Sequence, residues 1–271
     1  MRTPYVCVLA CLVGACSSMS QKPPAAAVSD LAPSGTLRAA INVGNAVLAA
    51  RPKEGGDASR AEPTGISVDL ARELGRRLGV PVRLVVFDAA GKVVEAGKAG
   101  GWDIAFVALD PARSAEIAQS PPYVQIEGAY LVRDGSPLKS NEEVDRKGHR
   151  VVVARNSAYD LHLTRALKQA EIVRTPTSAT VVDIFLKENY EVAAGVKQQL
   201  ENDARRVSGV RLLPGRFMVI NQAMASQKGK EAGARYVRDF IEEMKASGFV
   251  AKAIERHKQP SAVVAPLGFQ P

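Results

Sequence analysis

Residues 66–87 read ISVDLARELGRRLGVPVRLVVF and predict a helix that leads directly into a strand. In the first half, apolar residues recur every three or four positions with charged residues between them, which predicts a helix over residues 67–78 with one buried face. Gly79 ends that helix, and residues 82–87 have the length and composition of a buried strand. The apolar helix positions are Val68, Leu70, Ala71, Leu74 and Leu78. A helix followed at once by a buried strand predicts an α/β protein.

The same alternation continues on both sides of this stretch. A strand is expected at residues 37–43, a helix at 92–99 and a strand at 104–107, which completes a βαβαβ unit with a mainly parallel sheet. Asp110 and Pro111 mark the start of a short further helix, because an acid is a good helix cap and proline is tolerated at the first helical position.

A second unit of the same kind follows a strand expected at residues 126–132. Its strands are expected at 151–154, 172–175 and 192–196, and its helices at 159–170, 180–188 and 198–206. The sequence therefore predicts two lobes, each a mainly parallel sheet flanked by helices.

The chain is expected to cross between the lobes twice, through extended segments near residues 126–134 and 217–225. The first lobe would comprise residues 35–130 together with 222–271, and the second lobe residues 131–221. Two crossings form a hinge. Because ligands of such sheets bind beyond the carboxyl ends of the strands, the cleft between the lobes is the expected binding site.

Residues 1–15 predict an export signal. Arg2 precedes a mostly apolar run that is too short to span a bilayer as a helix. The run ends LVGAC at residues 12–16, which resembles the cleavage box of bacterial lipoproteins and predicts a lipidated Cys16 at the new N-terminus. Residues 16–34, rich in Ser, Pro and Ala, would form a flexible tether. The alternative is ordinary signal cleavage after the alanines at residues 25–27, which lie far from the apolar run.

Composition and charge exclude several function classes. Of the 271 residues, 46% are hydrophobic and 24% charged, which is typical of a folded globular protein. The net charge of +8 is scattered and only 5% of the residues are aromatic, so we expect no nucleic-acid partner. Cys7, Cys11 and Cys16 are the only cysteines, so the mature domain would have neither a disulfide nor a thiol nucleophile.

No known catalytic or metal-binding motif was found. His149, His162 and His257 are far apart and none forms a metal-ligand motif, so we expect no metal and no other cofactor. Gly91 and Gly97 have the wrong spacing for a phosphate-binding loop, and no Gly-x-Ser-x-Gly elbow occurs. The sequence therefore favours ligand binding over catalysis.

Polar residues at predicted strand ends and helix starts form a candidate ligand site. They are Asn42, Asn45, Asp110, Arg113, Ser157 and Lys197. The carboxyl ends of parallel strands meet at one edge of a sheet, so these side chains are expected to face the cleft. Other roles remain open, since Asp110 and Ser157 also suit helix caps, and Arg113 and Lys197 also suit surface charges.

Four stretches carry a resemblance to a known family. They are GISVDLARELG at residues 65–75, WDIA at 102–105, DPAR at 110–113 and SPPY at 120–123. In order and spacing they resemble the landmarks of bacterial solute-binding proteins of family 3, which serve amino-acid importers of the ABC type. Ser67 stands where the first landmark usually has an acid. The resemblance covers most of residues 35–258 and implies the two-lobed, type II periplasmic-binding-protein fold.

The resemblance also implies roles for the candidate residues. Arg113 would clamp the carboxylate of the ligand, helped by the Ser157 hydroxyl and by free backbone amides at a helix start. Lys197 stands where the family has the acid that binds the ligand's ammonium group. We therefore expect a ligand more anionic than an ordinary amino acid, held between Arg113 and Lys197. Asp110, as a pocket acid, would instead receive an ammonium group.

Together these observations predict a periplasmic solute-binding lipoprotein of an ABC importer and not an enzyme. We expect a monomer that closes on an amino acid, keto acid or dicarboxylate and is then recognised by a permease in the inner membrane. Two alternatives remain: an enzyme similar to cyclohexadienyl dehydratase, with an acid in the cleft as catalyst, and a ligand-sensing subunit that docks on a receptor.

Overall fold

The computed structural model describes residues 22–52 and 61–269, which form two α/β lobes. After α1 (Ala25–Leu31), the first lobe contains the parallel strands β1 (Leu37–Asn42), β2 (Val82–Phe87) and β3 (Ile104–Ala108) in the order β2-β1-β3. Their connections contain α2 (Ile66–Leu78) and α3 (Ala90–Lys98). The short helix α4 (Pro111–Ser114) and the long strand β4 (Ile117–Arg133) follow β3. The first βαβαβ unit is thus confirmed.

The second lobe repeats this arrangement. The parallel strands β5 (Arg150–Ala154), β6 (Glu171–Thr175) and β7 (Val192–Val196) lie in the order β7-β5-β6. The helices are α5 (Ala158–Ala166), α6 (Val181–Lys187) and α7 (Lys197–Arg206). The chain returns through β8 (Val210–Leu212) and β9 (Met218–Gln227) to α8 (Glu231–Ala246), α9 (Phe249–Arg256) and β10 (Val263–Val264).

The strands β4 and β9 join the two lobes. They pair antiparallel from Ile117 opposite Gln227 to Gly128 opposite Met218. On the outer sides of this pair, β9 is next to β3 of the first lobe, and β4 is next to β7 of the second. The two predicted crossing segments are therefore these strands. The predicted lobe boundaries, at residues 130/131 and 221/222, fall inside them and remain a prediction.

The helix α2 shows how the apolar pattern builds the core. Leu70 and Leu74 are fully buried, whereas Arg76 on the opposite side is exposed. Gly75 permits close packing on the sheet, because a Cβ atom there would lie 2.2 Å from Cγ2 of Val82. The helix ends at Gly79, whose φ of 70° lies in the left-handed region that glycine adopts without strain.

The structure corrects the tether predicted for residues 16–34, since part of it is the helix α1. Leu31 at the end of that helix is fully buried, and the carboxylate of Asp30 accepts a hydrogen bond of 3.0 Å from the backbone N–H of Gly233 on α8. A Cβ atom on Gly233 would lie 2.9 Å from Asp30, so α1 lies directly against α8. Apolar spacing over only seven residues was too short to predict this helix. The predicted signal and Cys16 lie outside the described residues.

The structure differs from the prediction at two further places. The strand β4 begins at Ile117 and not at residue 126, because the register shifts around Pro122 interrupt its regular alternation. The helix α9, which was not predicted, follows Gly248, which lies two residues after the end of α8 and has a φ of 77°. In the part of the chain that the structure describes, no helix is both long enough and apolar enough to cross a bilayer.

We predict that α1 is a stabilising part of the first lobe. Substitution Leu31→Ala should lower the free energy of unfolding by about 2–5 kcal/mol, because it leaves a cavity beneath α1. The matched control is Leu267→Ala, since Leu267 is 60% exposed. Urea unfolding of both variants is the measurement. Equal stability of the two variants would mean that α1 is a loose tether after all.

Candidate ligand-binding site

A cavity of about 50 Å³ lies between the two lobes. Its walls are the residues at or just beyond the carboxyl ends of the six parallel strands, together with Ile220 and Gln222 of β9. Four of the six predicted site residues line it: Asn42, Asn45, Arg113 and Ser157. The expectation that strand ends converge in the cleft is therefore met for these four residues.

Arg113 is the charged group inside this cavity. It lies on α4 and is only 3% exposed. Its guanidinium donates hydrogen bonds to the carbonyl oxygens of Ala108 at 3.0 Å and Asn156 at 2.8 Å. Burial lowers the pKa of Arg113 to about 10, while the nearby charge of Asp110 acts in the opposite direction, so Arg113 stays charged at neutral pH. Within residues 22–52 and 61–269, no carboxylate lies within ion-pair distance of it.

Ser157 marks the start of α5 at the cavity wall. Its hydroxyl accepts a hydrogen bond of 3.0 Å from the N–H of Asp160, and the Asp160 carboxylate accepts one of 2.8 Å from the N–H of Asn156. Arg174 donates a hydrogen bond of 3.0 Å to the same carboxylate, so Asp160 is bound both to the turn at Asn156 and to Arg174 on β6. This reciprocal capping fixes Asn156, whose carbonyl oxygen receives the Arg113 bond from the other lobe.

Asn42 is the last residue of β1, and Asn45 lies in the turn that follows. The Asn42 side-chain oxygen accepts a hydrogen bond of 3.0 Å from the N–H of Gly44. A Cβ atom on Gly44 would lie 2.1 Å from the carbonyl oxygen of Asp88, so only glycine allows this turn to approach the end of β2 so closely. The turn thereby holds both asparagines at the cavity.

Lys197 lies outside the cavity, contrary to the prediction of a two-cation clamp. Its ammonium group donates to Glu127 at 2.8 Å, and Glu127 also accepts from Arg216 at 2.6 Å. Lys197 begins α7, and residues two positions apart on a helix point about 200° apart. Gln199 faces the cavity instead. The clamp between Arg113 and Lys197 is not formed.

Asp110 is also outside the cavity and acts as the helix cap that was left open as an alternative. Its carboxylate accepts from the N–H of Ala112 at 2.9 Å, inside the first turn of α4. The same carboxylate pairs with Arg165 of α5 at 2.7 Å. Because α4 and α5 belong to different lobes, this ion pair bridges the cleft. The side chain of Asp110 is only 4% exposed.

Sequence reasoning missed five polar residues of the cavity wall. They are Arg155, Tyr159, Ser178, Gln199 and Gln222. Arg155 and Ser178 follow the ends of β5 and β6, so the strand-end rule applied to every strand would have found them. Gln222 belongs to the connecting strand β9, to which that rule does not apply. Burial raises the pKa of Tyr159, whose hydroxyl is hydrogen-bonded to Ser178 at 3.0 Å.

The family comparison agrees with this architecture. A model of the bacterial extracellular solute-binding proteins, family 3, matches residues 48–260. The chain belongs to this family. Members of such a family bind solutes, and the cavity of this family 3 protein lies where the two lobes meet. No match was found among curated proteins.

Solved structures share the fold of this family 3 protein at low sequence identity. An ancestral amino-acid-binding protein, described as a precursor of cyclohexadienyl dehydratase, is 21% identical with a TM-score of 0.69 and covers 84% of this chain and 98% of its own. The solute receptor for L-cysteine of Neisseria gonorrhoeae is 18% identical with a TM-score of 0.73, over 86% and 94% of the two chains. A Streptococcus pneumoniae amino acid ABC transporter substrate-binding protein bound to L-arginine is 18% identical with a TM-score of 0.72, over 85% and 98%.

We predict that the ion pair of Asp110 with Arg165 holds the lobes together. Asp110→Asn keeps a helix cap but removes the charge, and Arg165→Gln removes the partner. In a double-mutant cycle on urea unfolding, the two substitutions should show a coupling of about 0.5–3 kcal/mol, as expected for side chains in contact. Either single variant should also increase the radius of gyration of the ligand-free protein in small-angle scattering. Additive effects with an unchanged radius would contradict the bridge.

Proposed function

We propose that this protein captures a small carboxylate-bearing ligand between its lobes and delivers it to the permease of an ABC importer. One observation carries the proposal: Arg113 is buried in the cavity with two carbonyl oxygens as partners and no carboxylate among the described residues. A buried charge without a counter-ion is costly, and a ligand carboxylate would supply that counter-ion with bidentate geometry.

Backbone groups at the cavity wall support the same ligand class. The helix α5 begins at Ala158, beside the cavity, and its first N–H groups carry partial positive charge. Arg113 comes from the first lobe and α5 from the second. A carboxylate between them would contact both lobes, so binding would favour the closed arrangement.

The importer and the cell compartment belong to the proposal as well. Two of the similar solved structures are an L-cysteine receptor and an L-arginine-bound ABC transporter protein, which supports a role in amino-acid-type transport. We further propose that the protein is exported to the periplasm, is anchored through a lipid on Cys16, and works as a monomer.

We propose binding and not catalysis. A dehydratase on this fold would need an acid or base in the cleft, and the described cavity wall contains neither a carboxylate nor a histidine. The charge of Asp110 acts on Arg113, but its carboxylate is held by the N–H of Ala112 and by Arg165. Within the described ranges, no three His, Cys, Asp or Glu side chains are arranged to hold a metal ion.

The substitution Arg113→Gln tests the proposed function. A thermal-shift screen of small carboxylates would first find a ligand, since a hundredfold excess over Kd adds about 2.7 kcal/mol of stability. Calorimetry with that ligand should then show a loss of about 2–5 kcal/mol in Arg113→Gln, roughly a 30- to 4,000-fold weaker Kd. Arg83→Gln is the matched control, because Arg83 is exposed on β2. Similar affinity of the two variants would overturn the proposed role of Arg113.

The proposed anchor is tested by Cys16→Ser. Two or more acyl chains give stable membrane attachment, so the wild-type protein should fractionate with the membrane and the variant should be released. Mass spectrometry of the mature N-terminus should find acyl groups on the wild type alone. Equal partitioning, with no acyl mass on the wild type, would rule the anchor out.

A further inference from the structure

Among the described residues, the charged side chains that line the cavity are all positive. Two charged side chains line it, Arg113 and Arg155, and among the described residues no acid does. The acids close by are committed to other partners: Asp110 pairs with Arg165, and Asp160 pairs with Arg174. Glu127, the acid near the start of α7, pairs with Lys197. None of these acids is among the cavity-lining residues.

The two arginines differ in their exposure to water, which decides how strongly each charge needs a counter-ion. Arg113 is 3% exposed and lies inside, whereas Arg155 is exposed at the cavity edge and keeps its hydration. Closure therefore buries one unneutralised positive charge. A site for a zwitterionic amino acid needs one cation and one anion, because the ligand itself adds no net charge.

We infer that the ligand is a small monocarboxylic acid without an α-ammonium group, such as a 2-hydroxy or 2-oxo acid. This inference rests on the proposed function. One carboxylate on Arg113 brings the net charge of the closed cavity to zero. An ammonium group would restore the excess positive charge beside a buried guanidinium and would find no carboxylate among the described wall residues. A second carboxylate on the ligand would find no second buried cation among the described wall residues, since Arg155 is exposed to water.

The neutral polar groups of the wall suit the rest of such a ligand. Asn42, Gln199 and Gln222, which carry side-chain amides, are among the residues that line the cavity. Each amide offers both a donor and an acceptor, so a hydroxyl or keto oxygen can be hydrogen-bonded without a charge. The small cavity volume of about 50 Å³ favours a ligand with a short carbon chain.

Ligand pairs with the same carbon skeleton test the inference directly. Calorimetry would compare L-alanine with L-lactate and pyruvate, and L-valine with 2-hydroxyisovalerate and 2-oxoisovalerate. The hydroxy or oxo acid of the preferred chain length should bind at least about tenfold more tightly than its amino acid, and Arg113→Gln should weaken this binding by about 30-fold or more. Succinate and malate are included as dicarboxylates and should bind more weakly.

A negative charge introduced into the cavity wall should reverse the preference for hydroxy or oxo acids over amino acids. Gln199→Glu puts a carboxylate in the first turn of α7, where the helix dipole favours it, and facing the cavity. This variant should bind the amino acid more tightly than the matched hydroxy acid. The control is Gln198→Glu, the same change one residue away, where the side chain contacts Ser261 outside the cavity. The control should keep the wild-type preference.

The outcomes separate this inference from the proposed function. Amino acids that bind as tightly as their matched acids, with loss of binding in Arg113→Gln, would overturn the inference and leave the proposed function intact. Tighter binding of succinate or malate would likewise overturn the single-carboxylate assignment alone. Binding of no carboxylate in any form, or binding unaffected by Arg113→Gln, would overturn both.

Discussion

The antiparallel pairing of β4 with β9 is the constraint on which the rest of the molecule depends. Each lobe has its own parallel sheet, and this pair makes one continuous hydrogen-bonded sheet of both. Because β4 and β9 join the two sheets, the carboxyl ends of the parallel strands in both lobes point into the cleft between the lobes. The cavity is therefore a consequence of how the sheets are joined, and Gln222 lies on its wall because β9 runs along it.

The two lobes contain equivalent arginine–carboxylate ion pairs, although their sequences show no repeat. Arg38 at the start of β1 binds Asp103 just before β3, through its backbone N–H at 2.8 Å and its side chain at 2.6 and 3.0 Å. Arg150 at the start of β5 binds Glu191 just before β7 in the same way, at 2.9 Å and at 2.7 and 2.8 Å. In both lobes the pair ties the central strand to its neighbour at the end opposite the cavity. These two ion pairs therefore leave the carboxyl ends of the parallel strands available for ligand binding.

Sequence periodicity predicted the sheets well because the buried strands and amphipathic helices repeat strongly, as in residues 66–87. It predicted the site less well, because contact depends on rotation about a helix axis. Lys197 and Gln199 are two positions apart, yet one pairs with Glu127 and the other faces the cavity. A small error in the assumed rotation of α7 about its axis is enough to assign the wrong one of these two residues to the cavity. The helix α1 was missed for another reason, since it is stabilised by contact with α8 and not by a pattern of its own.

A capture protein has to close on its ligand and stay open without it, and two charged contacts act on this equilibrium in opposite directions. The ion pair of Asp110 with Arg165 favours closure whether or not a ligand is present. Burial of Arg113 opposes closure despite its hydrogen bond to Asn156 of the other lobe, since the guanidinium loses its water and gains no counter-ion among the described residues. In the proposed function, a ligand carboxylate would remove this second cost and leave the first contact unchanged. The difference between the two states would then be concentrated on one side chain, so the charge of the ligand would decide whether the cleft closes.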